Sequence, residues 1–161
     1  MEVLIEQSQY EIERGKPMPS KNHAYIQHRI GKLIDRVYTD IYLPLPELSI
    51  SLGEGKTRVP DIAIYNEFDY TPGEDEVSTK QLPLGVIEIL SPKQHIGDLI
   101  IKSKEYFDAG IKSYWLVLPD LKTIYVFSAI NEYEVYAKNV ELIDNQLNIK
   151  LSLAELFKNW K

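Results

Sequence analysis

The chain has 161 residues, of which 44% are hydrophobic and 26% are charged, and its formal net charge is −6. These values are typical of a single globular domain, which we expect to span residues 1–161, and they exclude a disordered chain. The absence of cysteine excludes disulfides, thiolate zinc sites and a cysteine nucleophile. No apolar run is long enough to span a membrane, and residues 1–6 lack the basic and apolar regions of a signal peptide, so we expect a cytoplasmic protein. The negative net charge counts against a nucleic-acid partner, because nucleic-acid-binding domains usually carry a basic patch.

The first predicted element is an amphipathic helix. Ser20 is a suitable N-cap for a helix from about Asn22 to Tyr38. Apolar residues recur there at helical spacing and predict one buried stripe, made of Ile26, Ile30, Leu33, Ile34 and Val37. Pro44 and Pro46 then indicate that the next segment is an irregular connection.

Two strands are predicted next, joined as a hairpin. Apolar residues alternate with serine from Leu48 to Leu52, which is the pattern of a half-buried strand. The Gly53-Glu54-Gly55 turn predicts that the chain returns along a second strand, Arg58–Tyr65. An acidic, turn-rich loop follows over residues 66–81.

The second half of the chain predicts one more buried strand, a helix and an antiparallel meander. Gly85–Leu90 is a short apolar run that contains Glu88, and Pro92 ends it. A helix is predicted from about Gly97 to Ala109, where Gly110 stops it. The remaining predicted elements are the strands Ser113–Leu118, Thr123–Ser128, Glu132–Ala137 and Leu147–Leu151, and a short helix, Ala154–Trp160.

A carboxylate lies inside each of two buried strand runs. Arg58–Tyr65 contains Asp61, and Gly85–Leu90 contains Glu88. A charge within a buried strand is unfavourable unless it is paired or holds a metal. If the two strands lie side by side, their carboxylates repel each other unless a cation sits between them. This arrangement predicts a site for Mg²⁺ or Mn²⁺, which prefer oxygen ligands.

The order of elements and a set of spaced motifs resemble a known group of nucleases. The predicted elements follow the order helix, three strands, helix, strand, which resembles the α-β-β-β-α-β core of the restriction-endonuclease-like fold. Pro60-Asp61 together with Glu88 resembles the PD-(D/E)XK signature. The wider set is similar to the bacterial Uma-two-type endonuclease family; it comprises His23, Val59-Pro60-Asp61, Glu88-Ile89-Leu90-Ser91-Pro92, Asp98, Lys102, Tyr106, Ala109-Gly110-Ile111 and Tyr114–Val117. The resemblance implies an α/β fold with a mixed sheet, C-terminal antiparallel strands and a short terminal helix.

One position departs from the superfamily signature. The signature lysine belongs two residues after the acidic residue, on the same strand face, where this chain has Leu90. Helical geometry places Lys102 and Lys104 near opposite edges of the packed face of the second helix. Each also has a carboxylate four residues away with which it could form an ordinary surface ion pair. Spacing does not choose between them, and the resemblance points to Lys102.

The resemblance also implies roles for the other site residues. Asp61, Glu88 and the backbone carbonyl of Ile89 would hold Mg²⁺ or Mn²⁺, which activates the attacking water. Lys102 would stabilise transition-state charge, and His23 would bind a phosphate or a metal-bound water. Each side chain has a simpler reading as well: Asp61 as a strand-start cap, Lys102 in a solvated salt bridge and His23 as a structural histidine.

Three functions from different classes are compatible with these observations. The first is a metal-dependent endonuclease that hydrolyses phosphodiester bonds, with DNA as the favoured substrate. The second is a catalytically inactive protein of the same fold that binds nucleic acid or a protein partner, and the third is a structural module. A homodimer fits the resemblance, although no residue here supports one.

If Asp61 and Glu88 repel each other without metal, Asp61→Asn should slightly raise metal-free stability.

Overall fold

The fold is described by a computed structural model, which covers residues 7–161, with the backbone alone at Glu13. Residues 1–6, which were considered for a signal peptide, lie outside the described part. The helices are α1 (Gln9–Arg14), α2 (Lys21–Val37), α3 (Ile96–Asp108) and α4 (Leu153–Leu156). A 3₁₀ turn spans Pro119–Leu121. Within the described part, none of the helices combines the length and hydrophobicity that a membrane span needs.

A six-stranded mixed sheet forms the centre of the molecule. Its order is β1-β4-β6-β7-β8-β9, and only β6 and β7 run parallel to each other. The connection between these two strands is α3, as expected for a parallel crossover. The strands are β1 (Leu43–Pro46), β4 (Ile62–Tyr65), β6 (Gly85–Ile89), β7 (Ser113–Leu118), β8 (Thr123–Ala129) and β9 (Glu132–Ala137). This confirms the predicted α/β class with a mixed sheet and antiparallel C-terminal strands.

Two smaller sheets flank the central one. The first has the order β3-β2-β5, and the second pairs β10 with β11. Their strands are β2 (Ser49–Gly53), β3 (Lys56–Arg58), β5 (Ser78–Thr79), β10 (Glu141–Asp144) and β11 (Ile149–Ser152). The predicted terminal helix is shorter than expected, since α4 ends at Leu156.

The predicted strand Arg58–Tyr65 is in fact two strands in different sheets. The hairpin partner of β2 ends at Arg58, and β4 begins only at Ile62. Pro60 lies in the break, where its missing N–H cannot contribute to a ladder. This break bends the chain at Asp61, which therefore lies at the end of a strand instead of within one.

Four elements were not anticipated from the sequence, among them β5, which lies within the predicted loop 66–81. The segment Leu43–Pro46, expected to be irregular, is the edge strand β1, and its two prolines are tolerated because one side of an edge strand needs no hydrogen bonds. β10 was also missed. So was α1, although Ser8 and Glu11 form a capping box at its start.

The sheet is covered by helices on both faces. Ser20 caps α2, as predicted, and the apolar stripe of α2 is buried against one face, except for Val37, which is exposed. α3 covers the other face, where Leu99 and Tyr106 pack with Val86. Trp115 and Tyr114 of β7 are fully buried in the core.

A buried aspartate anchors the second small sheet to the core. Asp144 is fully buried and accepts hydrogen bonds from the Ser113 hydroxyl (2.5 Å) and the Trp115 indole N–H (2.7 Å). Its other oxygen accepts the backbone N–H groups of Gln146 (2.9 Å) and Leu147 (3.1 Å). Because each donor has a partner, this charge is compensated and has a structural role.

Asp144→Ala should lower the free energy of unfolding by about 2 kcal/mol, because it leaves buried donors without an acceptor. Urea denaturation of wild type and variant measures the difference. Glu141→Ala, on the exposed side of the same strand, is the control and should change stability by less than about 0.5 kcal/mol. Equal effects of the two substitutions would contradict the role of Asp144.

Candidate active site

Asp61 and Glu88 converge at the end of two neighbouring strands. Asp61 directly precedes β4, and Glu88 lies on β6, which pairs with β4 so that Ile62 stands opposite Ile87. Both side chains are about 1% exposed. The ammonium nitrogen of Lys16 lies 2.6 Å from Oδ1 of Asp61 and 3.4 Å from Oε2 of Glu88. The two carboxylates are therefore close enough to share one cation.

Contacts from the neighbouring strand β6 and from α2 fix the position of Asp61. Its Oδ2 accepts the backbone N–H of Ile89 at 2.7 Å and lies 3.0 Å from Nε2 of His23 in α2. The Gln27 amide, one turn further along α2, donates to the Asp61 carbonyl at 2.9 Å. Residues 23 and 27 lie on the same helix face, so helical spacing directs both side chains to the break before β4.

α3 holds the Glu88 side chain from the opposite side. The Tyr106 hydroxyl donates to Oε1 of Glu88 at 3.0 Å, and Nζ of Lys102 lies 3.9 Å from the same oxygen. Lys102 and Tyr106 are four residues apart and share one helix face. The predicted Lys102 thus reaches Glu88, whereas Lys104 pairs with Asp108 at 2.7 Å on the exposed side of α3.

The sequence interpretation missed two basic residues of the site. Lys16 lies in the connection after α1, and the Arg14 guanidinium at the end of α1 reaches Oδ1 of Asp61 at 3.4 Å. Both are buried, and Arg14 also pairs with Glu47. In the sequence, Arg14 and Lys16 flank Gly15 shortly before Ser20, the N-cap of α2, and this was the available signal for the two residues. No periodic pattern connected them with carboxylates that lie far along the chain.

The two carboxyls respond to this environment in opposite directions. Burial raises the pKa of Asp61, but hydrogen bonds and charges from His23 and Lys16 outweigh burial and bring the pKa below the ordinary 3.8. Burial, together with the negative charge of Asp61, raises the pKa of Glu88 above the ordinary 4.5. The positive charges of Lys16 and Lys102 act in the opposite direction but do not outweigh burial. Asp61 is therefore the firmly ionised member of the pair, and Glu88 accepts a proton more readily.

These contacts reverse the expectation that Asp61→Asn stabilises the metal-free protein. That expectation assumed two carboxylates facing each other without a counter-ion. The charge of Asp61 is instead compensated by Lys16, Arg14 and His23. Removal of its charge would leave buried donors poorly paired, which is destabilising.

The charge of the Arg58 side chain is compensated by a carboxylate of α3. Its guanidinium forms two hydrogen bonds to Glu105 of α3, at 2.7 and 2.8 Å. The hydrogen bond from Arg58, which outweighs the opposing effect of burial, lowers the pKa of Glu105 below its usual value. This pair ties the hairpin of β2 and β3 to α3.

Arg58→Met should lower the free energy of unfolding by about 1 kcal/mol near neutral pH, a modest value because solvent screens the pair. The lowered pKa of Glu105 means that this contribution is complete above the ordinary pKa of 4.5 and is lost as the pH falls below it. Urea denaturation at neutral and acidic pH measures the difference. A difference that persists unchanged in acid would argue against the ion pair as its source.

The donor set of the site fits a hard divalent cation. Mg²⁺ is commonly bound by one or two carboxylates and completes its shell with water and substrate phosphates. Asp61 and Glu88 would supply such a pair. Among residues 7–161, no group of three or more His, Cys, Asp or Glu side chains is arranged to hold a metal, so further ligands would come from backbone or solvent. The Ile89 N–H donates to Asp61, and a role for the Ile89 carbonyl remains a prediction.

A cleft adjoins the acidic pair. It has a volume of about 590 Å³ and lies between the start of α2, the segment after β6 and the 3₁₀ turn. Its lining includes His23, whose Nε2 contacts Asp61, and the polar residues Ser20, Lys21, Asn22, Ser91 and Gln94. Nδ1 of His23 is buried and has no hydrogen-bond partner in the described structure. The rest of the lining is largely apolar, and His23 is the lining residue that connects the cleft with Asp61.

Comparisons with known proteins agree with the resemblance inferred from the motifs. A solved structure described as a putative nuclease belonging to DUF820, from Anabaena variabilis, has the same fold with a TM-score of 0.75. It is 27% identical, and the alignment covers 88% of this chain and 83% of that chain. A comparison with curated proteins finds no significant match. A family model described as "Uma2: Putative restriction endonuclease" matches residues 3–160. Because this match spans nearly the whole sequence, the chain belongs to the Uma2 family.

Proposed function

We propose that this protein is a metal-dependent endonuclease that hydrolyses phosphodiester bonds, with DNA as the favoured substrate. The observation that carries the proposal is the convergence of Asp61 and Glu88 on a single cationic position at the ends of adjacent strands. Membership of a family described as restriction endonucleases supports the same reaction class.

The residues of the site would divide the work of such a reaction. Asp61 and Glu88 would hold Mg²⁺ or Mn²⁺, which supplies Lewis-acid stabilisation of a phosphate and lowers the pKa of a bound water. Lys102, 20% exposed and near Glu88, has the position to neutralise charge that develops on the phosphate. His23 contacts Asp61 through Nε2 and is best described as a positioning residue for that carboxylate.

One observation favours a second candidate, a protein of this fold that binds nucleic acid or a partner without cutting. Lys16 already compensates the acidic pair, and Leu90 occupies the position of the signature lysine. A site of this kind could persist as a buried ion cluster with a purely structural role. Metal-dependent cleavage separates the two candidates.

The test is a cleavage assay on a mixture of single- and double-stranded DNA and RNA, with Mg²⁺, Mn²⁺ or EDTA. The nuclease proposal predicts product with either ion and none with EDTA. Glu88→Gln keeps the size of the side chain and serves as the matched negative control. If wild type and Glu88→Gln produce equal background cleavage, the non-cutting candidate becomes the better description.

A further inference from the structure

The proposed reaction leaves two buried charged residues of the site, Arg14 and Lys16, without a role, and Lys16 lies closer to Asp61. Lys16 is 4% exposed at its side chain and contacts both carboxylates, more closely than Lys102 does. Its side chain comes from the connection between α1 and α2, outside the strands and helices that form the rest of the site. A lysine this deeply buried is not a solvated surface charge, so its contacts with the two carboxylates need an explanation.

The position of Lys16 coincides with the place where a shared divalent ion would bind. The Lys16 ammonium contacts Oδ1 of Asp61 and Oε2 of Glu88, which are the oxygens that a shared cation would also use. The other oxygen of Glu88, Oε1, accepts a hydrogen bond from Tyr106 and lies 3.9 Å from Nζ of Lys102. The remaining Asp61 oxygen is engaged by Ile89 and His23. The ammonium and the divalent ion therefore cannot both occupy this position.

The charges of the site lead to the same conclusion. The acidic pair and Glu47 together carry three negative charges, and three cations, Arg14, Lys16 and Lys102, contact them, so the cluster is already neutral. A divalent ion entering a neutral, buried cluster gains little attraction and meets repulsion from both lysines. Withdrawal of Lys16 would restore negative charge and expose the carboxylate oxygens.

We propose that Lys16 and a divalent cation compete for the Asp61–Glu88 pair, so that metal binding requires Lys16 to leave. The proposal rests on the metal dependence proposed above and deepens it. Lys16 closes the metal-free site and keeps its two buried carboxylates compensated. It is the residue that limits metal affinity.

The attachment of Lys16 to the protein permits this exchange. α1 has six residues, and its apolar side chains Tyr10 and Ile12 are 46% and 58% exposed. Its main described contacts to the body are polar, through Arg14 and Tyr10 to Glu47 and through Arg14 to Asp61. A segment with so little apolar burial opens at low free-energy cost. Gly15, with φ of 71°, supplies a bend directly before Lys16.

Calorimetric titration with Mn²⁺ tests the competition in wild type, Lys16→Met and Lys102→Met. Lys16→Met should bind Mn²⁺ at least about tenfold more tightly than wild type, which corresponds to ~1.4 kcal/mol. Lys102→Met is the matched control, because it removes the same charge beside the pair without vacating the shared position, and it should change affinity much less. Circular dichroism melts verify that each variant is folded.

A second measurement uses wild type alone and does not depend on the folding of a variant. Acetic anhydride labelling, read by mass spectrometry, should modify buried Lys16 several-fold faster when Mn²⁺ is present. Exposed Lys104, which pairs with Asp108, is the internal reference and should not change.

The outcomes separate this inference from the nuclease proposal. Equal Mn²⁺ affinity in wild type and Lys16→Met, with unchanged Lys16 labelling, overturns the competition and leaves metal-dependent cleavage standing. No Mn²⁺ binding by any variant overturns both proposals. Tighter binding by Lys16→Met, in a protein that cuts no substrate, supports the competition and counts against the nuclease.

Discussion

Asp61→Asn should reduce metal-dependent cleavage by more than about 10³-fold, since it removes one of the two charges that would hold the ion and with it several kcal/mol of transition-state stabilisation. Initial cleavage rates at saturating Mg²⁺, at a temperature well below the melting point of the variant, measure the loss. The temperature matters because this substitution also removes the charged partner of His23 and the nearer of the two carboxylates that contact Lys16.

Asp108→Asn is the matched control for that prediction. It removes an exposed carboxylate at the end of α3 that pairs with Lys104 and lies outside the acidic pair, so it should retain wild-type rates within about twofold. Cleavage by Asp61→Asn at the rate of the control would mean that Asp61 does not hold a catalytic ion.

Lys102→Ala should lower the cleavage rate by roughly 10²–10³-fold, because this is the typical effect of removing one preorganised donor that stabilises transition-state charge. Metal binding should stay nearly intact. The structure supports the required reach, because Lys102 extends from α3 to within 3.9 Å of Glu88. The measurement pairs the cleavage rate with calorimetric Mn²⁺ binding, so that loss of chemistry is distinguished from loss of the ion.

Lys104→Ala is the control on the same helix. Its ion pair with Asp108 is exposed and contributes at most about 1 kcal/mol to stability, so its cleavage rate should match wild type. Equal activity in wild type and Lys102→Ala would falsify the role of Lys102. Equal losses in both lysine variants would indicate a general effect of positive charge on substrate binding.

Local patterns predicted the framework of this protein well. α2 follows from the Ser20 cap and a helical apolar stripe, and β6 follows from a short β-branched run. The buried carboxylate in that run indicated an unusual environment at Glu88, where the structure shows contacts to Tyr106, Lys16 and Lys102. These features depend on neighbours in sequence, which a single chain displays directly.

The features that were missed depend on partners far along the chain. β1 becomes a strand because it pairs with β4, and its prolines conceal this in the sequence. The single predicted strand around Asp61 divides because its two halves pair with different sheets. Lys16 is brought to Glu88 across 72 positions of sequence, and no local rule anticipates such a contact.

A crystal structure of the wild-type protein with Mn²⁺, with the ion located by its anomalous signal, tests the central claim most directly. The account predicts one peak between Asp61 and Glu88, within about 2.3 Å of an oxygen of each, with the Lys16 ammonium displaced from both. An unchanged Lys16 bridging the two carboxylates, with no peak beside them at saturating Mn²⁺, would contradict it.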